Sequence, residues 1–132
     1  MKKKILLGMM AVALMSLMTV SAVSACVGPG LSPGFWKHNV GVYLGEKKGS
    51  YSDPGVTGLR IDDPTYPPTS SPVTKDNMKA WLTELKGAPW NLDLQALYDK
   101  MNTKGGGAVG AGIRVGAANV FNYWADLYPY GD

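Results

Sequence analysis

The chain has 132 residues, with 13 Lys and Arg against 10 Asp and Glu, and a formal net charge of +3. This length suits one small domain and excludes a large multidomain enzyme. Lys2, Lys3 and Lys4 lie together at the N-terminus, and without them ten cations face ten anions. The rest of the chain is therefore formally neutral. This argues against a nucleic-acid-binding protein, because such a protein needs a basic surface.

Residues 1–25 have the three parts of a secretory signal peptide. The lysine cluster is followed by an apolar run from Ile5 to Val20 and then by the small residues Ser21 to Ala25. The apolar run of about 16 residues is shorter than the roughly 20 residues that span a bilayer. We therefore predict export and removal of this segment rather than a permanent membrane helix.

Cys26 would be the first residue after that cleavage. The tetrapeptide VSAC at 23–26 resembles the lipobox of bacterial and archaeal lipoproteins, which usually has Leu where Val23 stands. The resemblance implies a lipid on the Cys26 sulfur, so that residues 26–34 form an anchor and leader. A free thiol and a disulfide to another chain remain open, since a single cysteine excludes an intrachain bridge. A metal site would need several Cys or His, and His38 is the only histidine.

Apolar residues at helical spacing predict a first short helix over about 35–44, which ends at Gly45. Ser32 and Pro33 suit its N-cap and first turn. Pro33-Gly34 also fits the centre of a type II turn, so both interpretations remain open.

Residues 45–73 form the least regular segment and are rich in Gly and Pro. We interpret them as one long loop, in which residues 56–61 could form a short strand and residues around Tyr66 its hairpin partner. A loop of 29 residues exceeds ordinary connections, which favours a functional or partly disordered segment.

Four residues of this loop are candidate ligand-binding residues: Tyr51, Asp62, Asp63 and Tyr66. Tyrosine rings can stack on sugar rings, and carboxylates bind hard cations such as Ca²⁺. The loop has no D-x-D-x-D-G pattern, and aspartates beside Pro and Gly are common turn residues. A glycan- or Ca²⁺-binding site is therefore an alternative function.

Three further helices are predicted after this loop. The first begins at an N-cap Thr74 and stops at Gly87, the second begins at an N-cap Asn91 and ends at the 105–107 glycines, and the last covers about 108–127. The predicted buried stripe of the last helix is Ile113, Ala117, Val120, Phe121, Trp124 and Leu127. Gly112 and Gly116 lie four residues apart in the same helix, a spacing that predicts close backbone packing against a neighbour.

His38 is the one candidate general base. No nucleophile motif such as G-x-S-x-G accompanies it, so a small hydrolase is only a second alternative. We expect a structural histidine that hydrogen-bonds the nearby loop or a helix end. No catalytic residue, metal site or cofactor is predicted.

The run from Leu31 to Asn39 (LSPGFWKHN) resembles the [ST]-P-G-[FY]-W-K-x-H segment that opens a domain of exported bacterial and archaeal proteins. Its motif residues here are Pro33, Gly34, Phe35, Trp36, Lys37 and His38. Family members commonly have Asn-His after the lysine, where this chain has His38-Asn39. The family has no established activity, and the resemblance implies an extracytoplasmic setting.

Together these observations predict a mainly α fold for residues 35–132. We expect one small globular domain of three or four helices, with a long Gly/Pro-rich loop in which the sequence also allows one β-hairpin. The predicted function is a non-enzymatic structural or binding module on the outer face of the cell membrane, in the periplasm or outside the cell. Its expected partners are the membrane, through lipidated Cys26, and a cell-surface protein or glycan.

Overall fold

A computed structural model describes residue 26 and residues 28–56 and 69–131. This part of the chain holds four helices: α1 (Pro33–Leu44), α2 (Met78–Lys86), α3 (Leu94–Met101) and α4 (Gly107–Trp124). Its only extended pairing is an isolated parallel bridge between Gly28 and Leu127. The predicted mainly α fold is confirmed. The predicted signal peptide and residues 57–68, which hold nearly all of the predicted strand and hairpin, lie outside the described residues.

Helix α1 begins because Ser32 caps it. The Ser32 Oγ accepts a hydrogen bond from the Phe35 amide at 3.3 Å, and Pro33 occupies the first helical position, where no amide hydrogen is needed. The capping interpretation is therefore correct, and the helix starts two residues before the predicted 35. Gly45 ends it in the left-handed region at φ 81°, as predicted.

Helix α2 begins later than the sequence predicts. Its first residue is Met78 and its N-cap is Asn77, so the prediction of Thr74 as N-cap is wrong. The Thr74 Oγ1 instead accepts a hydrogen bond from the Asn77 amide at 3.3 Å, within a turn over 74–77. A Ser or Thr side chain makes this same local bond in turns and in caps, so the sequence alone does not separate the two.

Helix α3 is capped by Asp93, whose carboxylate accepts a hydrogen bond from the Ala96 amide at 3.0 Å. The predicted cap, Asn91, lies in the preceding turn at φ 50°, a conformation that Asn adopts more readily than most residues. The cap prediction was wrong because Asn and Asp are both good caps and the chain offers one of each.

Helix α4 differs from its prediction in three respects. It ends at Trp124, since Asp126 has φ 61° and turns the chain away. Ile113, predicted to be buried, is 40% exposed. Apart from α4's own backbone, no atom of the described residues would lie within 4 Å of a Cβ at Gly112 or Gly116, so the predicted close packing there is wrong. The close approach is instead at Gly110, where a Cβ would lie 2.8 Å from the Gly105 carbonyl oxygen.

Trp36 of α1 is the centre of the core. Its ring is fully buried, stacks on Phe121 of α4 at 5.4 Å and lies 5.7 Å from the ring of Trp81 of α2. Helix α1 contacts each of the other three helices, and α3 packs on α4. Helix α1 thus lies at the centre of the domain, and the leader that precedes it ends at the domain's core.

Candidate functional site

The SPGFWKH motif forms the start of α1 and is part of the core. Trp36 is fully buried, and Phe35 packs edge-on against it at a ring distance of 4.9 Å. Lys37 and His38 are half-exposed, and Gly34 is exposed. The motif thus supplies one buried anchor, a cap and a short polar face. Ser32 and Pro33 thereby fix the direction in which the chain enters α1.

Asn122 of α4 clamps the residues before the motif. Its Oδ1 accepts hydrogen bonds from the Leu31 amide and the Trp36 Nε1, both at 2.9 Å. Its Nδ2 donates to the Leu31 carbonyl at 3.0 Å and to the Asn119 Oδ1 at 2.9 Å. A fully buried amide is thereby completely satisfied, so it holds one arrangement of the leader.

The clamp continues to the C-terminal segment. Asn119 Oδ1 accepts a hydrogen bond from the Tyr130 amide at 2.7 Å. The Tyr128 amide donates to the Gly28 carbonyl at 2.9 Å. A Cβ at Gly30 would overlap the Tyr128 carbonyl oxygen, so only glycine fits there. The leader and residues 127–130 therefore lie side by side on the end of α4.

Sequence reasoning missed the role of Asn122. The sequence does contain one sign of this role, namely that Asn122 is an amide within the apolar stripe of α4, between Phe121 and Trp124. A buried amide at such a position needs hydrogen-bond partners.

His38 and Asn39 tie the following loop to α1. The His38 Nε2 lies 2.8 Å from the Ser50 carbonyl oxygen, so it carries the proton and donates it. Asn39 is fully buried and accepts a hydrogen bond from the Ser52 amide at 2.8 Å. The expected hydrogen bond from His38 to the loop is present. Sequence reasoning did not single out Asn39, the more deeply buried member of the pair.

Tyr51 is the one loop candidate among the described residues. It lies half-buried against the core rather than extended into solvent. Burial raises the pKa of its phenol, and Tyr43 adds to the rise. The other candidates, Asp62, Asp63 and Tyr66, lie outside the described residues.

Cys26 lies at the start of this clamped leader. It is half-exposed and its thiol is free. Two residues later, Gly28 is paired with the chain at Leu127 and Tyr128. The predicted anchor residue is thus next to a firmly held part of the domain.

The end of the domain beside Cys26 exposes aromatic rings. Tyr128 is 56% exposed, Tyr130 39% and Tyr123 37%. An open groove of about 460 Å³ lies between the leader and the C-terminal segment, and it is lined by Gly28, Pro29, Gly30, Tyr128 and Pro129. We call this surface, formed by residues 28–30, 123 and 128–130, the tyrosine end.

A second groove of about 250 Å³ runs between α3 and α4. It is lined by Leu97, Lys100, Gly112, Ile113, Gly116, Ala117 and Val120. The two glycines that were expected to pack against a neighbour thus form the floor of an open surface.

Within the described ranges, no three His, Cys, Asp or Glu side chains lie close enough to hold a metal ion. None of the helices described is both long and apolar enough to span a membrane. Comparisons with models of protein families, with curated proteins and with solved structures found no significant match.

Proposed function

We propose that this protein is an exported domain held at the outer face of a membrane by a lipid on Cys26. There it acts as a structural or binding module without catalysis. The observation that carries the proposal is the placement of Cys26, half-exposed and two residues before the Gly28–Leu127 bridge. The residues that precede it have the pattern of an export signal and the VSAC tetrapeptide.

The free thiol supports this use of Cys26. A lipid attached there projects from the edge of the domain, since the side chain is half-exposed and contributes nothing to the buried core. The leader that follows Cys26 is attached to α4 by the two hydrogen bonds between Leu31 and Asn122. An anchor at Cys26 is thereby connected to the body of the domain.

Metabolic labelling tests the lipid anchor. The full chain is expressed in a bacterium that lipidates its exported proteins and is fed a fatty acid with an alkyne tag. We expect the tag on the unchanged chain and on Ser24→Ala, which keeps a small residue before the cysteine, and no tag on Cys26→Ser. An unchanged chain without the tag would contradict the proposal.

His38 has a structural role in this proposal, because its Nε2–H donates to the Ser50 carbonyl and holds the loop on α1. This bond leaves the Nδ1 of the ring as the basic nitrogen, so the hydrolase alternative is tested by activity. Turnover of an ester, peptide or glycoside substrate that is lost in His38→Ala, while the variant stays folded, would support the hydrolase alternative instead.

The alternative function is a glycan- or Ca²⁺-binding site in the 45–73 loop. Titration calorimetry with Ca²⁺ and with a glycan panel tests it, because binding of either ligand gives heat. Such binding would specify the module's ligand and would leave the anchor in place.

A further inference from the structure

We infer that the tyrosine end is the face of the domain that lies on the lipid surface, with its exposed rings at the level of the lipid headgroups. This inference rests on the proposed lipid anchor at Cys26. It adds an orientation, namely which end of the domain touches the bilayer and which end points into the solvent.

The first argument is the length of the tether. Two residue steps separate Cys26 from Gly28, so a lipidated Cys26 holds Gly28 within about 7 Å of the anchor. Gly28 is bonded through its carbonyl to the Tyr128 amide at 2.9 Å. The tyrosine end therefore cannot swing far from the membrane, whereas a long flexible linker would allow the domain any orientation.

The second argument is the length of the domain. Helix α4 has 18 residues and is thus about 27 Å long at 1.5 Å per residue. Its C-terminal end lies at the clamp formed by Asn122, and its N-terminal end at Gly107 lies at the far side. Val109, which is 79% exposed, is therefore about 22 Å along the helix from Trp124.

The third argument is the chemistry of the end itself. Residues 28–36 hold no charged side chain, and Asp126 is buried. The other acidic residue of the C-terminal segment, Asp132, follows Tyr130 by two residues and lies outside the described residues. An uncharged surface of Tyr, Pro and Gly loses little hydration free energy when it meets headgroups. Tyrosine is enriched at membrane–water interfaces, where its ring is shielded and its hydroxyl stays hydrated.

The opposite end has the composition expected of a water-facing surface. Asp99, Lys100 and Lys104 are all exposed and lie just before α4 begins. Charge at one end and exposed tyrosines at the other favour a single orientation over random tumbling at the anchor.

Hydroxyl-radical footprinting tests the orientation residue by residue. The exported protein is placed on vesicles of equimolar phosphatidylethanolamine and phosphatidylglycerol, and its oxidation is compared with that of exported Cys26→Ser in solution. We expect the oxidation of Tyr128 and Tyr130 to fall several-fold on the vesicles. Val109, at the far end of α4, should be oxidised at the same rate in both samples.

A pair of double variants separates the tyrosines from general exposure. Tyr128→Ser with Tyr130→Ser should remove the protection of Tyr123. Val109→Ser with Ile113→Ser, which changes exposed apolar residues at the far end, should leave it intact.

Three results would overturn the inference. The first is equal oxidation of Tyr128 and Tyr130 on vesicles and in solution, and the second is protection of Val109 instead. The third is protection on native membranes but not on pure lipid, which would assign the tyrosine end to a protein partner.

Failure of the proposed anchor and failure of the proposed orientation give different results in this experiment. Mass spectrometry of the same sample shows whether Cys26 carries lipid. If it is bare, the anchor proposal has failed, and coupling of the thiol to a maleimide-headgroup lipid still allows the orientation to be measured.

Discussion

Asn122 is the residue on which the placement of the leader depends most. Its amide is fully buried and makes four hydrogen bonds, of which three go to Leu31 and Trp36. An apolar side chain at this position would leave the buried Trp36 Nε1 and the partly buried Leu31 amide and carbonyl without this partner. Each unsatisfied buried polar group costs about 1–3 kcal/mol, so the loss of this one amide should lower the free energy of unfolding substantially.

Asn122→Leu should lower the free energy of unfolding by about 3 kcal/mol, since several partners lose their bonds at once. Chemical denaturation followed by tryptophan fluorescence measures the change. Asn102→Ala is the matched control, since Asn102 is half-buried at the C-cap of α3 and is not part of the clamp, and we expect a change within about 0.5 kcal/mol. Equal effects of the two variants would show that the clamp contributes nothing specific.

Tyr51 gives the chain a dependence on alkaline pH. Burial raises the pKa of its phenol in the folded state, with Tyr43 as a second cause. The folded state therefore keeps the proton more tightly than the unfolded state, so the stabilisation is complete below the unfolded pKa of about 10 and is lost as the pH rises through the folded pKa. Tyr51→Phe should reduce the fall in melting temperature between neutral pH and about pH 11.

The control for this measurement is Tyr128→Phe, because Tyr128 is 56% exposed. It should leave the alkaline fall unchanged. If both variants gave the same pH profile, desolvation of Tyr51 would not be the cause.

Among the helices, the N-terminal half of α4 departs most from what its sequence suggests. A G-x-x-x-G spacing is equally compatible with a packed face and with an exposed one, because glycine has no side chain whose polarity could indicate the choice. Here Gly112 and Gly116 form the floor of an open groove, and the tight contact falls on Gly110.

Alanine substitutions in α4 distinguish the two environments. Gly112→Ala should raise the free energy of unfolding by about 0.5–1 kcal/mol, because the added methyl group would contact none of the described residues outside α4 and alanine favours the helix. Gly110→Ala should lower it by about 1–3 kcal/mol, since the new Cβ would lie 2.8 Å from a carbonyl oxygen. Thermal unfolding of both variants measures the difference. A destabilising Gly112→Ala would restore the packed interpretation.

The helices themselves were largely predictable, and their boundaries less so. Apolar periodicity locates α2 and α3 because Trp81, Leu85 and Tyr98 must face a core. Thr74 misled the first cap assignment because its side chain makes the same local bond in a turn, and Asn91 misled the second because Asp93 is an equally good cap two residues later. The clamp could not be predicted, since Asn122 and Leu31 are 91 residues apart and only the folded chain brings them together.

Taken as a whole, the molecule is a small helical domain with different chemistry at its two ends. The N-terminal leader and the C-terminal segment lie together at the tyrosine end, while the exposed charges before α4 lie at the other. In the proposed function, the cysteine at the tyrosine end attaches the domain to the membrane and the exposed charges point into the solvent. Its formal net charge of +3 equals the contribution of Lys2, Lys3 and Lys4 in the predicted signal peptide.

The most direct test of the lipid-anchored function is mass spectrometry of the exported protein's N-terminal peptide. We predict a peptide that begins at Cys26 and carries the mass of a lipid on that residue. A peptide that begins at Cys26 with an unmodified thiol, or one that still contains residues 1–25, would contradict it.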